Sequence, residues 1–260
     1  NKFETEEAGN YLGFRPHLSA NGNVNRYGAR FNTISYSDIF SSLDGSADFV
    51  LNLMDDVFSS AAFSLNMQNS RSDENVSVDM NVSNPEMLPF GLNALKNDFY
   101  VDASVLINRL NMNRFTKVAS DNNELTASLY MTGTAEHPSV TAGIEKLTLM
   151  VSGDALNASG ALMVEDKDIS INEVNVKFRT MEVNNVTGNF SLSTLTGSLK
   201  ANIDAWLGPD TVHIPLILES SDVFRNENKF IPEEMTVSLK SDGIYGSLIK
   251  KPLDFSLSLM

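Results

Sequence analysis

Apolar residues recur at every second position along most of this chain, which is the signature of β-strands with one dry and one wet face. The signal is strongest between residues 99 and 205. Leu125, Ala127, Leu129 and Met131 alternate with Thr126, Ser128, Tyr130 and Thr132, and the run ends at Gly133. Leu147, Leu149 and Val151 follow, then Gly160, Leu162 and Val164, with Ile169 and Ile171 beyond the charged turn Glu165-Asp166-Lys167-Asp168. That turn reads as a hairpin. Val174, Val176 and Phe178 alternate with Asn175, Lys177 and Arg179. Met181 and Val183 keep one parity, while Val186, Gly188, Phe190 and Leu192 take the other, a shift that the pattern assigns to a turn. Leu199, Ala201, Ile203 and Ala205, set against Lys200, Asn202 and Asp204, form the cleanest strand of all.

The same alternation appears earlier, in Phe49, Leu51 and Leu53 and in Val76, Val78, Met80 and Val82. It persists to the end, in Ile214, Leu216 and Leu218 and in Leu253, Phe255, Leu257 and Leu259. Short clusters of Asn, Asp, Ser and Gly between the runs, such as Asn69 to Asn75 and Ser120 to Asn123, are of the kind that close hairpins. The expected fold is therefore all-β: one long, curved, mostly antiparallel sheet, with at most short helices at residues 37–44 and 89–98. Residues 1–27 lack the pattern and are expected to be irregular. No linker is visible, so residues 1–260 read as a single elongated segment, and the absence of a starting Met suggests a piece of a larger protein.

Composition narrows the function. With 19 basic against 33 acidic residues the net charge is -14, which repels phosphate backbones and argues against a nucleic-acid partner. There is no cysteine, so disulfides and thiolate metal sites are excluded. No run approaches the roughly 18 apolar residues of a membrane-spanning helix. His17, His137 and His213 each stand alone in sequence, and no catalytic or phosphate-binding motif is present. The sequence therefore predicts no enzyme, no metal and no cofactor. Asp55-Asp56 and Asp166-Lys167-Asp168 read as solvated turns.

A sheet with one apolar face must put that face against another layer, close on itself, or leave it available to an apolar ligand. In a curled but unclosed sheet the candidate lining is Leu125, Ala127, Leu129, Met131, Leu147, Leu149, Val151, Leu162, Val164, Ile169, Ile171, Val174, Val176, Phe178, Val186, Phe190, Leu192, Leu199, Ala201 and Ile203. The alternative is a structural or adhesive cell-surface protein of β-sandwich or β-solenoid type, in which the same residues form a closed core.

The segment Leu129-Tyr130-Met131-Thr132-Gly133-Thr134-Ala135-Glu136-His137-Pro138-Ser139-Val140-Thr141-Ala142-Gly143-Ile144 resembles a recurring phrase of the TamB/AsmA-like family, in which a strand ending in Gly-Thr leads through a Pro into the next strand. Leu156-Asn157-Ala158-Ser159-Gly160-Ala161-Leu162 and Val186-Thr187-Gly188-Asn189-Phe190 are similar to that family's short strands with internal glycines, and Gly45 to Leu51 is a fainter instance. The resemblance is best over residues 125–205. It implies a folded-over β-taco with an open hydrophobic groove, located in the periplasm and anchored to the inner membrane in the full-length protein. It further implies phospholipid acyl chains as cargo and an outer-membrane barrel of the assembly module as a partner. The family carries no catalytic residues, so the only site it implies is the apolar lining.

Overall fold

The computed structural model describes residues 2–5, 17–38, 41–54, 57–84, 99–115, 120, 122–224 and 234–259. The chain divides into two compact units, Asn1–Gly153 and Asp154–Met260, although its sequence offers no linker between them. Both are all-β and antiparallel. The first holds β1 (Lys2–Thr5), β2 (His17–Asn25), β3 (Gly28–Ser37), β4 (Ser42–Met54), β5 (Val57–Gln68), β6 (Asn75–Ser83), β7 (Tyr100–Asn111), β8 (Glu124–Gly133) and β9 (Pro138–Val151). The second holds β10 (Asp154–Glu165), β11 (Asp168–Phe178), β12 (Met181–Ser191), β13 (Thr196–Leu207), β14 (Asp210–Phe224), β15 (Glu234–Gly246) and β16 (Ile249–Leu259). Within each unit every strand pairs with its neighbours in sequence, giving a plain meander. Substantial packing among the described residues occurs only between such neighbours, so each unit is a single layer.

Register turns the one-dimensional alternation into rows. In the first unit Phe31, Ala47, Leu65, Val78, Val105, Leu129 and Ala142 stand opposite one another from β3 to β9. In the second, Leu162, Ile171, Gly188, Leu199, Leu218, Leu239 and Leu257 do the same across all seven strands. Residues facing each other across a ladder share a face, so these rows make one side of each sheet apolar. The opposite side carries Asp, Asn, Ser and Lys. Arg30 meets Asp48 there at 2.6 Å, and Lys240 meets Glu219 at 2.7 Å. Exposed pairs of this kind contribute about 0–1 kcal/mol each, so the backbone ladder and the apolar rows hold the fold, and the ion pairs trim it.

Three sequence expectations change. The described residues of the stretch 37–44 form no helix: Ser37 ends β3 and Ser42 begins β4. The turn between them is closed by Asp38, whose N–H donates to the Ser41 carbonyl at 3.0 Å and whose Oδ1 accepts from Ser41 N–H at 2.8 Å. Ile39 and Phe40 lie outside the described residues; Leu43 is buried at its strand parity, opposite Tyr36. Of the residues expected to be irregular, 2–5 form β1 and 17–25 form β2, which pairs with β3 through one register shift between Asn21 and Gly22; the polar composition hid Leu18, Ala20, Gly22 and Val24 on the dry side of β2. The parity shift between Val183 and Val186 is a bulge inside β12 and not a turn, with Asn185 in the left-handed region at φ 53. Arg109 in β7 and Glu173 in β11 mark comparable bulges, both at φ 49. A bulge inserts one residue and thereby restores the apolar residues beyond it to the original face. The hairpin at Glu165 to Asp168 forms as predicted, with Asp166 left-handed at φ 53. The helix expected at residues 89–98 lies outside the described residues, and the only helical turn among the described ones is 3-10, at Met112–Phe115.

Polar side chains close the loop ends of the first unit. Asn84, 1% exposed, donates from Nδ2 to the Phe58 carbonyl at 2.9 Å, beside the Phe58 and Phe99 rings, whose centroids are 5.3 Å apart. Asn123 donates to Asn113 Oδ1 at 2.6 Å and accepts from Met150 N–H at 2.7 Å. Glu74, also buried, accepts from Asn111 N–H at 2.9 Å. Each satisfies backbone groups that a turn would otherwise leave orphaned.

Two outcomes follow. A Cβ at Gly188 would lie 2.4 Å from the Ser198 carbonyl oxygen, so Gly188→Val is expected to lower the unfolding free energy in urea by roughly 1–3 kcal/mol through overpacking. Lys146 and Arg109 both donate to the Glu124 carboxylate and hold its pKa below the ordinary 4.5. A lowered carboxylate pKa stabilises the fold fully above 4.5, and the contribution is lost as the pH falls through the lowered value. Melting temperatures on either side of pH 4.5 should therefore fall more steeply on acidification in the parent than in Glu124→Gln.

Candidate functional site: the apolar faces

The candidate lining residues fall into two sets, one per unit. In the first unit Leu125 stands between Leu110 and Leu147, Ala127 between Ile107 and Ile144, Leu129 between Val105 and Ala142, and Met131 between Ala103 and Val140. Leu149 and Val151 continue β9 beyond the start of β8, and Val151 is exposed as the last residue of its strand. In the second unit Leu162 meets Ile171 and Val164 meets Ile169, while Val174 meets Val186, Val176 stands between Ala158 and Val183, and Phe178 between Leu156 and Met181. Phe190 lies between Ile169 and Gly197, Leu199 between Gly188 and Leu218, and Ile203 between Val183 and Ile214; Ala201 faces Leu216. Leu192 departs from the set: it sits in the turn after β12, with its N–H donating to the Lys167 carbonyl at 2.6 Å, and is 44% exposed at the hairpin tip.

Several members of these faces escape the sequence pattern. Val140, Ala142 and Ile144 share the face of Leu147, but the register slip opposite Thr126 and Ala127 puts Glu145 out of step and reverses the apparent parity between Ile144 and Leu147. Leu216, Leu218, Leu239 and Leu257 extend the rows of the second unit to β16. Their alternation is visible in the sequence; their alignment with Leu199 and Ala201 requires the register.

The apolar faces are incompletely covered. The described apolar side chains that are fully buried are Leu43, Ala47, Met67 and Phe99, all in the first unit. In the second unit no apolar side chain whose burial is described is fully buried, and Leu218 and Leu257 remain 41% and 53% exposed. A methylene chain laid along such a face would remove apolar surface from water at about 25 cal/mol per Å², with no need for directional contacts.

The ion pairs Arg30–Asp48 and Glu219–Lys240 lie on the other side. Glu219 is held below the ordinary carboxylate pKa by its hydrogen bond to Lys240. Among the histidines, His17 begins β2 and His137 sits exposed in the turn before β9. His213 in β14 donates from Nδ1 to Asp204 Oδ1 at 2.5 Å and stacks on Tyr245, partners that its sequence neighbours do not reveal. Among the described residues no group of three metal-ligating side chains gathers, and no helix is long and apolar enough to cross a membrane. No family model matches the chain, and searches of curated proteins and of solved structures found no match.

Proposed function

We propose that the chain is a segment of a bridge-like envelope protein of the TamB/AsmA-like kind. The apolar face of each unit forms an open groove that carries phospholipid acyl chains between the inner and outer membranes or assists the assembly of outer-membrane proteins. On this reading it works in the periplasm, without catalysis, and with an inner-membrane anchor elsewhere in the full-length protein. The observation that supports it best is in the second unit, where register-matched apolar rows cross every strand and no described apolar side chain is fully buried. A soluble surface rarely leaves a contiguous apolar patch of more than a few hundred Å² bare, and an acyl chain matches such a strip in chemistry and in its lack of directional demands.

The test uses the strand whose two faces are best separated. Phospholipid is extracted with organic solvent from the purified parent, from Ile203→Asp and from Asn189→Asp. Ile203 is only half-buried between Val183 and Ile214, so a carboxylate there still meets water and the fold should persist. It also places a charge in the path of an acyl chain, so recovered phospholipid should fall several-fold. Asn189→Asp adds a charge to the exposed polar face and should leave recovery unchanged. Recovery of no lipid from the parent, together with unfolding of Ile203→Asp, would defeat the proposal in favour of a closed structural or adhesive domain.

A further inference from the structure

The polar face of the second unit is creased where its irregularities line up. β11 turns left-handed at Glu173 and β12 at Asn185, and the pairing of β14 with β15 skips between His213 and Ile217. Asn175 ties the first two bulges together, donating from Nδ2 to the Glu173 carbonyl at 2.7 Å and accepting from Asn185 N–H at 2.9 Å. Left-handed backbone at a non-glycine residue costs energy and persists only where the surroundings hold it, as Asn175 does here. The crease opens into two adjoining recesses of about 490 and 300 Å³ that share Asn185, Asn202 and Pro215.

The lining is unlike the apolar face. Asn184, Asn185 and Asn202 supply carboxamides, each of which can donate and accept. Asp204 is held in place by His213 and by Asn184 Nδ2, the latter at 3.1 Å. Tyr245 stacks on His213 with centroids 4.8 Å apart, which fixes its ring, yet it stays 54% exposed. Pro215 and Ile217 add small apolar surfaces between these groups. The larger recess carries one acidic residue, Glu173, and one basic residue, Lys200, so it has no excess positive charge to attract an anion, and the chain as a whole carries -14.

Paired donors and acceptors beside an exposed, immobilised aromatic ring match a pyranose, whose adjacent hydroxyls each donate and accept and whose C–H face packs on apolar surface. We propose that this crease binds a neutral oligosaccharide, with consecutive rings in the two recesses and Asn185 and Asn202 at their junction. The site is independent of the apolar face and of the cargo assigned to it.

The full chain is titrated calorimetrically with maltotetraose and, separately, with the fully N-acetylated chitotetraose. Saturable binding of at least one is expected, weakened by about tenfold or more in Tyr245→Ala and in Asn202→Ala and unchanged in Ser198→Ala, which lies on the polar face but outside the recesses. Asn202 is exposed, so an unaltered melting curve for Asn202→Ala separates loss of binding from loss of fold. The proposal is overturned if neither sugar binds at up to about 10 mM, or if both variants bind as the parent does.

Discussion

An antiparallel ladder holds this protein together only as long as every strand presents its apolar residues to the same side as its neighbour. A slip of one residue would carry a whole row of leucines and valines across to the Asp, Asn and Lys side. That constraint explains the bulges. Ile171 and Val174 are three residues apart, as are Val183 and Val186, so a perfectly regular strand would split each pair between the two faces. The extra residue at Glu173 and at Asn185 absorbs the mismatch, and the rows continue unbroken from Leu162 to Leu257 and from Val176 to Ile214. Left-handed backbone at non-glycine positions is the energetic cost of keeping one face apolar over strands of eleven residues or more.

The two units satisfy the constraint with different completeness. In the first, Leu43, Ala47, Met67 and Phe99 reach full burial, and buried Asn84, Asn123 and Glu74 seal the loop ends with hydrogen bonds to backbone. The second has no comparable buried cluster among its described residues, and its rows run from β10 to β16 as half-exposed strips. Its stability rests on the ladder and on cross-strand pairs such as Ile203 with Val183 and Ile214, each worth about 0.2–1 kcal/mol, more than on a core. On the proposed reading, a partly wet apolar strip serves a cargo that asks only for contact. The same bulges that keep the apolar face continuous also crease the polar face, so the proposed lipid surface and the proposed saccharide site arise from one structural device.

The amino-acid pattern by itself determined the all-β class, the hairpin at Glu165 to Asp168 and the dry parity of strands such as Leu199 to Ala205, because strand periodicity is a local property that needs no partner. It misread Ser37 to Asp44, where Ile39, Phe40 and Leu43 have helical spacing: a turn closed by Asp38 lets Leu43 pair with Tyr36, and tertiary pairing overrode the local spacing. It also missed β2, whose Asn, Ser and Gly residues resemble a loop until they are set against β3. What only the tertiary structure decided was register: that Ile144 shares a face with Leu147, that parity shifts are bulges and not turns, and that His213 lies against Asp204 and Tyr245. Alternation tells a strand which of its sides is dry. Which residue of the next strand stands opposite depends on hydrogen bonds between segments distant in sequence and on single inserted residues, and neither leaves a periodic trace in the chain.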